Sequence, residues 1–156
     1  YIITLTMIAT VFSFFSFLFL LIGTIEGKIN IIEILIIIWL FDTFSYLGGK
    51  IIGGKKLMPR ISHGKTISGL VVGIFSSLIL MELIRNYITD ISHYSYLFTF
   101  IIIFFAFIGD SMASIIKRIA LVKDSGTIMP GHGGLFDRFD SFIGVFFVYG
   151  IFNFIQ

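Results

Sequence analysis

YLFTFIIIFFAFIGDSMASIIKRI, residues 96–119, opens with 14 uncharged residues and closes on Asp110, Lys117 and Arg118. The apolar part has no polar face, and with the residues that follow it predicts a helix that crosses a bilayer. Asp110 lies roughly 21 Å along the axis of that helix, towards its polar end. A carboxylate at that depth must be paired, metal-bound or neutral. Asp110, Ser114 and Lys117 recur at i, i+4 and i+7, which places them on one helix face. The plainer reading of this spacing is an internal Asp110–Lys117 pair, or a helix-end charge reaching for water.

Further apolar runs extend the pattern in both directions. Residues 2–23 carry no charge, residues 31–48 are interrupted only by Glu33 and Asp42, and residues 67–84 only by Glu82. Residues 141–155 form a last, shorter run. Glu26, Gly27, Lys28 and Asn30 read as a turn, residues 49–66 as a polar loop and residues 85–95 as a link. The fold expected is all-α: a polytopic transmembrane bundle of about five spanning helices in a single domain, residues 1–156. Composition agrees, since 57% of the 156 residues are hydrophobic and only 13% are charged, about half the charged share of soluble domains. A soluble core of this size has no room for so much apolar surface. Cysteine is absent, which excludes disulfides, thiolate metal sites and a cysteine nucleophile. The first run is too long for a signal peptide and lacks a basic region before it. The chain begins at Tyr1 rather than Met and reads as the C-terminal part of a longer protein.

The net charge of +2 is small, so the distribution of charge is what informs, and no nucleic-acid partner is expected. Lys50, Lys55, Lys56, Arg60 and Lys65 fall in the 49–66 segment, and Lys117, Arg118, Lys123 and Arg138 in the 117–140 segment. With five alternating spans both segments share one side, which the positive-inside rule makes cytoplasmic.

The second of these segments, SIIKRIALVKDSGTIMPGHGGLFDRFD (Ser114–Asp140), carries the chemistry. Asp137 and Asp140 are three apart and face one way on a helix. Carboxylate oxygens so placed suit Mg²⁺, which leaves its other positions to water and phosphate. Complementing a helix dipole is the bland alternative. Between these acids and Lys123-Asp124, Gly126, Gly131, Gly133 and Gly134 let a phosphate approach backbone amides, and His132 can contact it. The 49–66 cations form a surface for anionic lipid heads or a triphosphate, unless they serve topology alone. Gly64-Lys65-Thr66 looks like the end of a P-loop, but Pro59 stands where the first glycine belongs and no strand is expected before it. Asp42 and Tyr46, at i and i+4, are placed to face a common cavity.

Together these residues resemble the phosphatidate cytidylyltransferase family. The pattern S-x-x-K-R-x-x-x-x-K-D-x-G-x-x-x-P-G-H-G-G-x-x-D-R-x-D runs unbroken from Ser114 to Asp140, and Gly109-Asp110 fits the Gly-Asp found upstream. Asp42-Thr43-Phe44-Ser45-Tyr46, followed by Gly48-Gly49, resembles the D-x-x-A-Y-x-x-G element. Pro59 and Ser62 to Gly69 resemble S-P-K-K-T-x-E-G less well, with His63, Gly64 and Ser68 at positions usually proline, lysine and glutamate; Ala113 replaces a frequent glutamate. The resemblance covers about residues 39–150 and leaves the first span without a motif.

It implies a multi-pass enzyme of the bacterial inner membrane, commonly a homodimer, with its active site on the cytoplasmic side. Such an enzyme makes CDP-diacylglycerol and pyrophosphate from CTP and phosphatidic acid with Mg²⁺, and leaves open a second, monovalent cation. On this reading Asp110, Asp137 and Asp140 are metal ligands and, with Lys117, the catalytic set. Ser114, Arg118, Lys123, Asp124, His132, Gly133 and Arg138 contact substrate, as do Ser62 and Lys65 at the nucleotide or lipid head. The competing readings are a CTP-dependent kinase of a lipid alcohol, and a non-enzymatic Mg²⁺ or phosphate transporter with Asp110 in its pathway. Transport also needs ionisable groups in the outer half, for which Glu33 and Glu82 are the candidates.

Overall fold

The computed structural model describes the backbone of residues 2–23, 25–59, 61–87, 96–122 and 136–155. Side chains are described over 8–19, 23, 25, 27–59, 61–62, 64–86, 96–122 and 139–151. The elements are α1 (Ile2–Ile22), α2 (Ile25–Ile52), β1 (Lys56–Met58), β2 (Ser62–Thr66), α3 (Ile67–Tyr87), α4 (Tyr96–Ile119) and α5 (Phe136–Ile155). Among the described residues, Gly27–Ile52, Ile67–Asn86 and Tyr96–Ile119 are long and apolar enough to cross a membrane. Shorter apolar stretches, Ile8–Phe19 and Phe139–Ile151, lie within α1 and α5. This is an all-α membrane protein with one small hairpin.

Two boundaries differ from the sequence reading. The turn expected at Glu26, Gly27, Lys28 and Asn30 is the first part of α2, and the break falls instead at Gly23. Glutamate and lysine are good helix formers, so a few polar residues need not end a helix. The last helix begins at Phe136 rather than residue 141, which puts Asp137 and Asp140 in its first two turns, where the dipole favours acids.

The chain forms two compact units: residues 20–104, and residues 1–19 with 105–156. In the 20–104 unit, Ile31, Ile34, Ile38 and Phe41 make a buried stripe on α2 with the i, i+3, i+7 spacing of a packed helix face. Trp39 and Tyr46 look outward, at 62% and 66% exposure. Against this stripe, α3 presents Gly69, Gly73, Ser77 and Met81 at four-residue intervals, all buried. A Cβ at Gly69 would lie 3.1 Å from the backbone nitrogen of Gly49, and one at Gly73 would meet the Ser45 hydroxyl and lie 3.1 Å from the Phe41 ring. Helices in lipid gain no hydrophobic attraction for each other, so small residues that permit this approach drive their packing. Ser77 Oγ donates to the Gly73 carbonyl at 2.7 Å. Ser45 Oγ is buried in the same contact without a hydrogen-bond partner.

The polar 49–66 segment is structured. α2 leaves through Gly53 and Gly54, with φ of 67° and 103°, a region costly for residues with a Cβ. β1 and β2 then pair antiparallel, Lys56 opposite Thr66 and Met58 opposite Ser62. Thr66 caps α3, its Oγ1 accepting the Gly69 N–H at 3.0 Å. Ser68 Oγ donates to the Gly53 carbonyl and ties the end of α2 to the start of α3. Gly64-Lys65-Thr66 lies within β2. The expectation that no strand precedes this tripeptide is therefore corrected, yet the segment remains unlike a P-loop because it is extended strand rather than a phosphate cradle.

A second polar feature of this unit lies within the spans. Glu33, on α2, is completely buried; Arg85, on α3, donates to its Oε1 through Nε at 3.2 Å and Nη2 at 2.7 Å. The same Nη2 reaches Thr99 Oγ1 on α4 at 2.9 Å. Three helices thus meet on one guanidinium.

Candidate functional site

In the unit formed by residues 1–19 and 105–156, α4 and α5 cross at two glycines. A Cβ at Gly109 would lie 2.6 Å from the Asp140 carbonyl oxygen and 2.9 Å from the Gly144 nitrogen; one at Gly144 would collide with the Phe105 carbonyl. Backbones in such proximity bring the next residues along with them. Asp110 follows Gly109 on α4, and Asp140 precedes Gly144 by one turn on α5.

The expected helix face is present: Asp110, Ser114 and Lys117 all lie on α4 and all are half-buried. Lys117 reaches across to α5, its Nζ 3.9 Å from Asp140 Oδ2. Asp140 is buried, and its Oδ1 accepts the Ser141 backbone N–H at 2.9 Å. A contact of 3.9 Å is an ion pair without a well-formed hydrogen bond. The helix ends just beyond in a Schellman turn: the Leu121 N–H bonds the Arg118 carbonyl at 3.1 Å and the Val122 N–H bonds the Lys117 carbonyl at 2.9 Å. Leu121 occupies the left-handed position with φ of 58°, where glycine is usual. Arg118 is exposed and its Nη1 donates to the Val122 carbonyl at 3.3 Å. Lys117 and Arg118 add positive charge where the helix dipole is negative.

Of the other expected site residues, Asp137 and Arg138 belong to the first turn of α5, and their side chains lie outside the described residues, as do Lys123, Asp124, His132 and Gly133 altogether. Ser62 and Lys65 are half-buried in β2, in the 20–104 unit. Asp42 is exposed on α2, and Tyr46 lies beneath Lys50, whose Nζ is 5.8 Å from the ring centroid. Among the described residues no three His, Cys, Asp or Glu side chains gather as a metal site. Asp110 and Asp140 are two of the three ligands expected. Gly144 was missed in sequence; its only signal was a lone glycine inside an aromatic, apolar run. Glu33, a candidate outward pathway residue, is consumed by Arg85.

A charge-bearing pair of helices, α4 and α5, in an otherwise apolar chain defines an all-α membrane protein with a polar site. The sequence model of the Cytidylyltransferase family matches residues 1–155, and the chain belongs to that family. It is 46% identical over 123 residues to a phosphatidate cytidylyltransferase of Staphylococcus aureus, a match covering 77% of this chain and 47% of the relative. The phosphatidate cytidylyltransferases of Staphylococcus epidermidis and Staphylococcus saprophyticus are 43% and 42% identical over the same length and coverage. The chain spans about half the length of the curated relatives it matches.

Proposed function

We propose that this chain forms part of a phosphatidate cytidylyltransferase, which joins CTP and phosphatidic acid into CDP-diacylglycerol and releases pyrophosphate. The observation that carries the reading is the Gly109–Gly144 crossing, which gathers Asp110, Asp140 and Lys117 on adjoining helices of a chain whose relatives bear that name.

The donor set fits a hard divalent cation. Asp110 and Asp140 offer carboxylate oxygens on helices in backbone contact, and Asp137 shares the start of α5 with Asp140. When bound there, Mg²⁺ would neutralise phosphate charge and stabilise the departing pyrophosphate. The protein's own residues have a positioning task. Two anions must meet, and Lys117 and Arg118 supply the cations that offset their repulsion, with Ser114 one turn before Lys117 as a hydroxyl partner. Lys123, Asp124, His132, Gly133 and Arg138 complete the phosphate contacts, and Ser62 with Lys65 serves the nucleotide or lipid head. A phosphatidate oxygen bonds to the α-phosphorus of CTP as the α–β bridging P–O bond breaks. That oxygen is already ionised at neutral pH, so no side chain need remove a proton. The acyl chains stay in the bilayer, and the positive-inside rule applied to the two basic segments supports a cytoplasmic site. The working form is a homodimer, and a monovalent cation is a candidate second ion.

The test supplies the full-length protein with CTP, Mg²⁺ and phosphatidate. CDP-diacylglycerol and pyrophosphate in equal amounts are expected. With a lipid alcohol supplied in place of phosphatidate, a phosphorylated lipid and CDP without pyrophosphate would make the protein a lipid-alcohol kinase; Mg²⁺ flux without nucleotide turnover would make it a transporter.

A further inference from the structure

The first helix carries no motif of the resemblance, yet it grips the helix that bears Asp137 and Asp140. Ser13 is buried in the apolar part of α1, and its Oγ lies 2.7 Å from two carbonyl oxygens: Ala9 on its own helix and Ile143 on α5. The hydroxyl's single hydrogen is shared between them; the first acceptor is the usual back-bond of a helical serine. The second crosses between helices, to a carbonyl three residues beyond Asp140. Two turns further along, Gly150 lets α5 close on α1: a Cβ there would collide with Ser16 Oγ and lie 2.8 Å from the Phe12 ring. Edge-on ring pairs, Phe12 with Phe147 at 5.5 Å and Phe17 with Phe146 at 5.1 Å, flank these contacts.

We propose that α1 sets the axial register of α5, with Ser13 a positioning residue for the Asp140 carboxylate. This positioning role rests on the proposed metal-dependent function and gives a part in it to a helix outside the motif. Ring packing tolerates sliding by a fraction of a turn, because apolar surfaces are not directional, and the glycine contacts limit that sliding only by steric exclusion. A hydrogen bond to one carbonyl is directional and marks a single register. The Gly109–Gly144 contact fixes how closely α5 approaches α4; the Ser13 bond fixes how far along its axis α5 sits. A rise of 1.5 Å per residue means that a slip of one position displaces Asp140 relative to Asp110 by more than an oxygen–metal coordination shell tolerates.

The experiment uses the full-length protein with Ser13→Ala, Ser13→Thr and Asp140→Asn. Two quantities are read: Mn²⁺ binding by electron paramagnetic resonance without substrate, and the Mg²⁺ concentration giving half-maximal turnover. Ser13→Ala should weaken both by about threefold to tenfold, the range one hydrogen bond commands, with its melting temperature near that of the parent. Ser13→Thr, which keeps the hydroxyl, should restore them. If Ser13→Ala binds Mn²⁺ as tightly as the parent, or loses binding only in step with folded fraction, α1 does not position Asp140 and the inference falls. Asp140→Asn separates the two layers. Undiminished Mn²⁺ binding in that variant would overturn the metal reading, and the inference with it. Lost binding there, beside an unaffected Ser13→Ala, would overturn the inference alone.

Discussion

Two ion pairs inside this apolar chain look alike in sequence and differ in construction. Arg85 meets Glu33 at 2.7 Å, with the carboxylate wholly buried and Thr99 sharing the guanidinium. Lys117 meets Asp140 at 3.9 Å, with Asp140 buried and the lysine half-buried. The first pair has rigid fork geometry and short hydrogen bonds, and it joins three helices. The second is long, uses a flexible ammonium, and stands beside Asp110. A short, enclosed pair opposes rearrangement; a long pair held by a flexible ammonium exchanges partners more readily. The contrast marks the first pair as architecture and leaves the second open to the chemistry proposed for it.

Breaking the enclosed pair should have the largest effect. Glu33→Ala leaves Arg85 uncompensated, and a loss of about 3–5 kcal/mol is expected, read as a collapse of the melting temperature in detergent. Replacing both partners, Glu33→Leu with Arg85→Met, should recover much of it; a double variant as unstable as the single would show that the pair is more than a matched charge. Next comes Asp140→Asn, for which turnover should fall by about a hundredfold or more while the melting temperature stays near the parent's. If it instead unfolds the protein as Glu33→Ala does, the division between the pairs fails. Lys117→Ala should raise the KM for phosphatidate or CTP by about tenfold and cost less stability than Glu33→Ala, since the contact it removes is long and lacks a well-formed hydrogen bond. The smallest effect is expected from Leu121→Gly, which relieves a left-handed residue and should gain roughly 1 kcal/mol. A loss there would mean that the Leu121 side chain makes contacts worth more than the strain.

The helical architecture was legible because bilayer thickness demands long apolar runs, and residues 67–84 and 96–119 met that demand without ambiguity. The start of α2 was not, since Glu26 and Lys28 read as a turn although helices accept them readily. The hairpin was hidden for another reason. Its strands, Lys56–Met58 and Ser62–Thr66, are only 3 and 5 residues long, and they pair through backbone groups that leave no alternating pattern. At the site, the shared face of Asp110, Ser114 and Lys117 followed from spacing alone. Its meeting with Asp140 did not, because helix–helix contact depends on Gly144, a residue whose significance lies in what it lacks. Ser13 was equally silent: one serine in a hydrophobic span resembles any other until its acceptor on another helix is known.

Ser45 carries a consequence for anyone handling this protein. Its hydroxyl sits where α2 and α3 press together, enclosed and without an acceptor, at the position where the family pattern has alanine. Removing an unsatisfied polar atom from such a place frees the chain from a desolvation cost on the order of 1 kcal/mol. Ser45→Ala is therefore a stabilised starting background, remote in sequence from the proposed carboxylates, on which otherwise fragile variants can be purified and compared.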